Sequence, residues 1–349
     1  PSAVVNEAVN LAYRSRVSSA AGFINAVLRR ALKEPEYDPA QSLTDPTERL
    51  SVETSHPRWL IERWTNAFGR DATAEFAHAN NETPPTAFRV VVARSKGRDV
   101  LEELRAAAEE LSPSEIAHGA WRIRGAGALV RKLAQDGLIY VQDEASQLVA
   151  QVLDAKAHDR VLDVCAAPGS KTTHIADGAE SLKVIVAGDL YEHRLRAVLE
   201  SAGRQKALAV RCVAYDATRA LPFAEGSFDR VLVDAPCTGT GTLRRNPEIR
   251  WRISERDIRD LSLRQRAILQ SASRMLRPDG GRLVYSTCSV ELEENESVVA
   301  SFLEEGGAAF RQVSVAAPER LLTAAGAART WPQRDQSDGF FIAAFERRS

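Results

Sequence analysis

The hydrophobic and polar positions of this chain follow a helical period near its start and a strand period later. Residues 1 to about 33 repeat apolar side chains at helical spacing, which predicts helix up to Pro35. A second apolar stripe over residues 59–68 predicts another helix, with Pro57 in its first turn. The polar, proline-bearing stretch 37–47 between them is typical of a linker.

A small α+β module is predicted from residue 84 to about residue 140. The β-branched run 88–93 predicts a strand, residues 99–111 an amphipathic helix, and the alternating stretch 120–124 a second strand. We therefore expect this module to separate the N-terminal helices from the rest of the chain.

From about residue 141 onward, strand patterns alternate with helix patterns. The predicted strands are 160–165, 183–189, 208–213, 228–234, 281–286 and 340–345. The predicted helices begin near residue 171 and cover 191–202, 255–276 and 292–304. This alternation predicts an α/β fold with a parallel, doubly wound sheet. Such sheets bind ligands beyond the carboxyl ends of their strands.

The composition is that of an ordinary globular protein. The 349 residues are 44% hydrophobic and 27% charged, which suggests two or three domains with a large core. The sequence has neither an apolar run of about 18 residues nor a secretory signal, so we expect a cytoplasmic protein without a membrane span. Because Pro1 rather than Met is the first residue, we expect the sequence to begin inside a longer gene product or after processing.

The net charge of -1 does not by itself indicate a nucleic-acid partner. RNA binding would have to come from local basic clusters, and a solvated surface is the simpler explanation of each cluster taken alone. Three such clusters are present: Arg29, Arg30 and Lys33; Arg122, Arg124, Arg131 and Lys132; and Arg244, Arg245, Arg250 and Arg252.

The turn after the first strand of the alternating part predicts a cofactor site. Residues 163–173 contain Gly169, which lets backbone N–H groups approach a ligand, but they match neither GxGxxG nor a P-loop. Asp163, Asp189 and Asp216 close three successive strands. Besides capping helices, such carboxylates would repel phosphate and suit a cationic adenosine compound, which indicates S-adenosylmethionine. The candidate cofactor-binding residues are Cys165, Ala166, Ala167, Pro168, Gly169, Asp189 and Asp216.

Two of the four cysteines follow strand ends in this part of the chain. Because no CxxC or CxH spacing occurs, we expect neither a disulfide framework nor a metal site. Cys237 follows the fourth strand and Cys288 the fifth, and we expect both thiols in one cleft beside the methyl donor. A thiolate that adds to carbon 6 of cytosine activates carbon 5 toward a methyl group, and Asp234 is the candidate group at ring N3. These residues alone leave open which thiol attacks.

Several longer motifs resemble those of the RNA cytosine-5 methyltransferases of the RsmB/Sun type. The motifs are QDEAS (142–146), DVCAAPGSKTTH (163–174), VDAPCTGTGTLRRNPEIRW (233–251), YSTCS (285–289) and DGFFIA (338–343). Upstream, GFINAVLRR (22–30) and SHPRWLIERW (55–64) resemble the branch of this family that carries a NusB-like helical domain. The resemblance covers essentially the whole chain.

This resemblance implies a Rossmann-like class I methyltransferase core with a mostly parallel seven-stranded sheet. It implies that Cys288 is the nucleophile, that Cys237 assists product release, and that Lys171 and Asp234 serve the active site and the cofactor. S-adenosylmethionine is the implied cofactor and ribosomal RNA, specifically 16S, the implied substrate of an enzyme that we expect to be a monomer. The candidate contacts to this RNA are Arg244, Arg245 and Asn246.

We expect three segments: a remnant of the NusB-like domain with its linker (1–48), a helical and α+β RNA-binding module (49–140), and the catalytic domain (141–349). Only the last helices of a NusB-like bundle are expected within residues 1–33. Three alternatives stay open: a methyltransferase for transfer RNA or another RNA, a non-catalytic RNA-binding assembly factor, and a DNA methyltransferase. The thiol of the TC pair and the basic loop count against the last.

Overall fold

The computed structural model describes residues 2–33, 38–179, 181–305 and 309–348 of the chain. The chain divides into two compact units, Pro1–Arg58 and Trp59–Ser349. Within the described ranges, no helix has both the length and the apolar character that a membrane span requires. The segment boundaries expected at residues 48 and 140 are not tested by this division and stay predictions.

Two helices occupy the N-terminal range that was predicted to be helical. They are α1 (Ser2–Arg14) and α2 (Ala21–Lys33). Between them the chain turns, and Arg16 has a φ of 59°. This left-handed conformation does not continue a right-handed helix, so the predicted helical range is interrupted once.

A third helix, α3 (Pro46–Thr54), begins inside the predicted linker. The Asp45 carboxylate caps it by accepting the backbone N–H of Thr47 at 2.8 Å, and a carboxylate at this position satisfies donors of the first helical turn. The linker therefore ends at Asp45 rather than at residue 47. Pro35 and Tyr37, at its predicted start, lie outside the described residues.

The segment that begins with α4 and contains the predicted small module combines helices with an antiparallel sheet. Its elements are α4 (Arg58–Phe68), α5 (Arg70–Ala79), β1 (Thr86–Val90), α6 (Val92–Ser95), α7 (Val100–Ala107), β2 (Ala108–Pro113), β3 (Ala120–Gly125), α8 (Gly127–Gln135) and β4 (Ile139–Val141). The strand order is β2-β3-β1-β4. Pro57 directly precedes α4 instead of lying in its first turn.

Two predicted elements of the module end earlier than expected. In both cases the reason is a contact with residues that are distant in sequence. The strand predicted over 88–93 ends early, since the Asp177 carboxylate accepts the backbone N–H groups of Val92 and Ala93 at 3.0 Å each and thereby caps α6. The helix predicted over 99–111 ends at Ala107, since the following residues pair with β3 and form β2.

The remaining chain forms the predicted α/β domain. Its elements are α9 (Glu144–Val152), β5 (Arg160–Asp163), α10 (Ser170–Gly178), β6 (Val184–Asp189), α11 (Glu192–Gln205), β7 (Val210–Ala214), β8 (Arg230–Asp234), α12 (Ile249–Arg252), α13 (Glu255–Ser273), β9 (Arg282–Thr287), α14 (Glu296–Glu305), β10 (Phe310–Val313), β11 (Ala328–Arg329), α15 (Pro332–Asp335) and β12 (Phe341–Arg347). The strand order is β10-β12-β9-β8-β5-β6-β7, and the short β11 pairs with β12.

The strands β5 to β9 are mutually parallel, whereas β12 runs antiparallel to β9 and β10 antiparallel to β12. The Rossmann-like, mostly parallel sheet that was expected is thereby confirmed. β8 lies between β5 and β9, so the two strands that precede the thiols are neighbours.

Both faces of this sheet are buried, which explains the nearly continuous apolar runs of its strands. Because side chains alternate along a strand, Val161 packs into one core cluster and Leu162 into the other. In β8, Leu232 joins the first cluster and Val231 the second. This two-sided core holds the carboxyl ends of the central strands at one edge, where the candidate site lies.

Candidate active site

The central parallel strands bring the predicted acids and thiols to one edge of the sheet. Asp163, Asp189 and Asp234 are the last residues of β5, β6 and β8. Cys288 directly follows the end of β9. Asp216 lies two residues beyond β7 rather than at its end. The structure therefore groups carboxylates and a thiol where parallel sheets bind ligands.

The turn after β5 is tight and depends on Gly169. This residue has a φ of 103°, a region that glycine adopts without strain. A Cβ placed there would lie 3.1 Å from the backbone Cα of Val198. The backbone N–H groups of Gly169 and Ala166 donate at 2.7 Å to the carbonyl groups of Ala166 and Gly188. Residues 165–169 are therefore held against β6, with the amino end of α10 behind them.

Asp163 is buried at the start of this turn. Its Oδ2 accepts a hydrogen bond of 2.6 Å from the hydroxyl of Thr172. Burial and the nearby charge of Asp234 raise its pKa to about 7, against the opposing effects of Thr172 and Lys171. Among the described residues, Asp163 Oδ1 has no hydrogen-bond partner. This acceptor can therefore take a donor from a ligand.

The next two carboxylates also hold their own loops. Asp189 accepts the backbone N–H of Tyr191 at 3.0 Å and forms an ion pair of 3.0 Å with Arg194. Asp216 accepts the hydroxyl of Thr218 at 2.6 Å and its backbone N–H at 3.0 Å, and these bonds lower its pKa. Helix and turn capping is thus one role of both acids.

The donor set fits S-adenosylmethionine. Carboxylates lie at or just beyond the ends of four successive strands of the parallel sheet. The turns that join β5 and β6 to their helices lack the glycine pattern that binds phosphate. The buried, unpartnered oxygen of Asp163 suits the ammonium group of an amino acid, and Asp189 suits ribose hydroxyls.

A lysine–aspartate pair lies beside this turn. Lys171 Nζ donates to Asp234 Oδ2 at 2.7 Å, and the hydroxyl of Ser286 donates to Asp234 Oδ1 at 2.7 Å. The Lys171 ammonium also lies 5.2 Å from the ring centroid of Phe340. Burial by itself lowers the pKa of Lys171, but the charge and hydrogen bond of Asp234 outweigh it, so that the pKa is raised. The pair is therefore a fixed ammonium and carboxylate.

The two thiols lie in contact. Cys237 Sγ and Cys288 Sγ are 3.3 Å apart. The hydrogen bond with Cys288 and burial raise the pKa of Cys237 well above its ordinary value. Cys237 is consequently held as the neutral thiol at neutral pH. The structure thus brings together the two cysteines that were predicted to follow strand ends. Cys212, by contrast, lies within the strand β7.

Two glycines join the loops that carry the thiols. The backbone N–H of Gly241 donates to the carbonyl of Cys288 at 2.9 Å, and the N–H of Gly339 donates to the carbonyl of Gly241 at 2.8 Å. A Cβ on Gly241 would lie 1.9 Å from the carbonyl oxygen of Gly339. The glycines of the TGTG and DGFF motifs are therefore needed for close backbone contact.

Glu294 is a site residue that sequence reasoning missed. Its buried carboxylate accepts the backbone N–H of Thr238 and the side-chain amide of Gln265 at 2.9 Å each, and the hydroxyl of Ser289. Burial raises its pKa despite these bonds. Thr238 and Ser289 each follow a thiol directly, so Glu294 ties the two loops together. In the sequence it is one acid among several in the run 291–296, and nothing there singles it out.

The predicted RNA contacts are placed differently from one another. Arg245 donates to Asp338 Oδ2 at 2.9 Å and forms an ion pair of 3.2 Å with Asp143. It thus connects the QDEAS, RRN and DGFF motifs and holds structure. Arg244 is buried, with only 3% of its side chain exposed. Asn246 is exposed and donates to the hydroxyl of Thr242 at 3.2 Å.

Other members of the basic clusters also have partners inside the protein. Arg122 forms an ion pair of 2.6 Å with the buried Glu144. The buried Arg250 donates to the side-chain oxygen of Asn81 at 2.9 Å. Arg252 is exposed. Basic residues that are neighbours in sequence therefore differ in their surroundings, and a count of charges does not locate an RNA surface.

Comparison with protein families matches three regions of this chain. Residues 150–346, more than half of the chain, match the family described as 16S rRNA methyltransferase RsmB/F. Residues 56–130 match the ferredoxin-like domain described as RsmF/B-like, and residues 1–33 match the NusB family.

Full-length relatives and a solved structure agree with these matches. The chain is 32% identical to the probable ribosomal RNA small subunit methyltransferase B of Bacillus subtilis, over 99% of this chain and 78% of that protein. It is 33% identical to the ribosomal RNA small subunit methyltransferase B of Yersinia pseudotuberculosis, over 98% and 77%. The crystal structure of PH0851 superposes with a TM-score of 0.85 at 33% identity and covers 96% of this chain and 74% of that one.

Proposed function

Because this chain belongs to the RsmB/F family and is an S-adenosylmethionine-dependent RNA methyltransferase, we propose that it methylates carbon 5 of a cytosine through a covalent adduct with Cys288. The observation that carries this proposal is the contact of 3.3 Å between two thiols at the ends of adjacent strands. Methyl transfer to oxygen or to an exocyclic nitrogen needs no such pair, whereas carbon 5 must first be activated by a nucleophile.

The substrate that we propose is 16S ribosomal RNA. The matched family is described by that substrate, and the relatives from Bacillus subtilis and Yersinia pseudotuberculosis are named for the RNA of the small ribosomal subunit. We further propose that the protein acts as a monomer in the cytoplasm, and that residues 49–140 form an RNA-binding module before a catalytic domain of residues 141–349. The exposed arginines of the basic clusters, together with this module, would contact the phosphate backbone of the RNA.

We assign the attacking thiol to Cys288. The two thiols share one hydrogen bond, so ionisation of one disfavours ionisation of the other, and the thiolate is the nucleophilic form of cysteine. A neutral Cys237 can donate its S–H to Cys288 Sγ and stabilise negative charge there. The family resemblance leads to the same assignment.

The proposed reaction begins and ends with the thiolate of Cys288. Cys288 Sγ adds to carbon 6 of the cytosine, and the electron pair of the 5,6 double bond makes carbon 5 nucleophilic. Once bound, S-adenosylmethionine would supply the electrophilic methyl group to carbon 5 and leave as S-adenosylhomocysteine. The proton then leaves carbon 5 for solvent with the help of Cys237, which re-forms the double bond and expels Cys288 as thiolate. The fixed carboxylate of Asp234 lies on the adjacent strand end, and Lys171 holds it in place.

The test compares three cysteine variants with the wild type, using labelled methyl transfer to 16S RNA and denaturing gels. Cys288→Ala should abolish transfer while S-adenosylmethionine still binds. Cys237→Ala should accumulate an RNA–protein adduct that resists denaturation, because addition occurs and release is blocked. Cys212→Ala, whose thiol lies on β7, should behave as the wild type.

Retained turnover in Cys288→Ala would refute the nucleophile assignment. An adduct that forms in Cys288→Ala but not in Cys237→Ala would show that the roles are reversed. Mapping the labelled nucleotide decides the remaining points, since a methyl group on an oxygen or on an exocyclic nitrogen removes the need for either thiol.

A further inference from the structure

A cavity of about 550 Å³ lies beside the sheet of the small module, and the steps above do not use it. Its walls come from β1, β2 and β3, from the loop before β1 and from Arg244. Pockets that bind small ligands span roughly 300–1,000 Å³, so the cavity can hold a nucleotide. The whole of it belongs to the unit Trp59–Ser349.

Arg244 distinguishes this cavity from an ordinary surface cleft. Its side chain is 3% exposed, and its nearest acid, Asp338, lies 3.6 Å away. Within the part of the chain that the structure describes, Nε of Arg244 has no hydrogen-bond partner, and Nη2 is the atom that faces Asp338. A buried guanidinium with an open donor is unfavourable unless a ligand accepts from that donor. The next residue, Arg245, already meets two carboxylates.

The other charged groups around the cavity are a mixed set. Arg122 is paired with Glu144, and Arg124 with Glu110. Glu82 also lines the cavity. A simple anion would be repelled by Glu82 and Glu110. A nucleotide, in contrast, offers a phosphate to Arg244 and hydroxyl or amino donors to the two carboxylates. The lining therefore favours a nucleotide.

The cavity is connected to the thiols through a short series of contacts. Arg244 lies against Asp338, the next residue is Gly339, and the backbone of Gly339 binds Gly241, which binds the carbonyl of Cys288. The arginine of the cavity wall and the loop that carries Cys288 are thus joined by one set of contacts. Enzymes that modify one base commonly select their site through the flanking nucleotides.

We propose that this cavity binds a nucleotide of the substrate RNA that flanks the target cytosine, and that Arg244 holds its phosphate. This assignment rests on the proposed function for the identity of the RNA. It gives Arg244 a substrate-binding role and leaves Arg245 a structural one, although the two are adjacent in sequence.

The test measures binding of a fluorescent single-stranded RNA of about 12 nucleotides, with a central cytosine, at several salt concentrations. Arg244→Gln should weaken binding by about tenfold and reduce the salt slope by about one. Ser112→Trp, which fills the cavity from β2, should weaken binding to a similar degree. Arg105→Gln removes the same charge from an exposed position of the module and should have little effect. S-adenosylmethionine affinity reports that each variant is folded.

The proposal fails if folded Arg244→Gln and Ser112→Trp bind the RNA as Arg105→Gln does. It also fails if free cytidine monophosphate stabilises the wild type but not Arg244→Gln while RNA binding is unchanged, since the cavity would then hold a separate mononucleotide. A wild type that binds the RNA through Arg244 but modifies no cytosine would overturn the proposed function and leave this RNA site standing.

Discussion

Gly241→Ala should damage the thiol site through backbone separation alone. The new Cβ would lie 1.9 Å from the carbonyl oxygen of Gly339, whereas carbon–oxygen contacts need about 3.3 Å. The two loops must therefore separate by roughly 1.4 Å, the difference between these distances. That movement breaks the hydrogen bonds of 2.9 and 2.8 Å that join Gly241 to Cys288 and Gly339.

Each buried backbone group left without a partner costs about 1–3 kcal/mol. Two broken bonds therefore predict a loss of about 2–6 kcal/mol in the free energy of unfolding. Misplacement of Cys288 by about 1 Å should lower methyl transfer by on the order of 100-fold. Urea unfolding monitored by fluorescence measures the first quantity, and labelled methyl transfer at a saturating cofactor concentration measures the second.

Gly203→Ala is the matched control, since a Cβ at Gly203 in α11 would have nothing within 4 Å. Alanine should stabilise this helix by about 0.4–1 kcal/mol and leave methyl transfer unchanged. The reasoning is refuted if Gly241→Ala unfolds within about 0.5 kcal/mol of the wild type and retains full activity.

Three further predictions concern charged groups of the site. The pKa of Asp163, raised from 3.8 to about 7, means that the native state keeps this proton while the unfolded chain loses it. Stability should therefore fall as pH rises from about 4 to about 7, and Asp163→Asn should flatten that slope in urea titrations; an unchanged slope contradicts the assignment. Asp234→Asn leaves the buried Lys171 ammonium without its partner, so unfolding free energy should drop by about 3–5 kcal/mol and methyl transfer should be lost; wild-type turnover would exclude a role for the pair. Arg245→Gln removes the cation that contacts both Asp143 and Asp338 and leaves Arg244, 3.6 Å from Asp338, beside them. It should lower the melting temperature, whereas the exposed Arg252→Gln should not; equal melting temperatures would remove the structural role of Arg245.

The alternation of strand and helix patterns along the chain was sufficient to predict a parallel, doubly wound sheet. Buried parallel strands must be apolar on both faces, and their carboxyl ends must share one edge. For that reason Asp163, Asp189 and Cys288 could be placed at a common site from sequence alone. The short β10 and β11 leave too few residues for a period to be visible.

Other features were decided only by residues that are distant in sequence. Residues 92–95 are helical because Asp177 caps them, and residues 108–113 form a strand because β3 pairs with them. The same is true of Arg244 and Arg245, whose difference depends on which carboxylates the fold brings near each of them.

The two thiols show how far the sequence by itself could predict the site. Sequence by itself determined that Cys237 and Cys288 follow the ends of two strands of one parallel sheet, since strand ends are read from local periodicity. Only the tertiary structure decided that their sulfur atoms are 3.3 Å apart, because that distance depends on the Gly241–Gly339 contact and on Glu294. Such contacts join segments far apart in the chain, and no local pattern of hydrophobic and polar positions contains them.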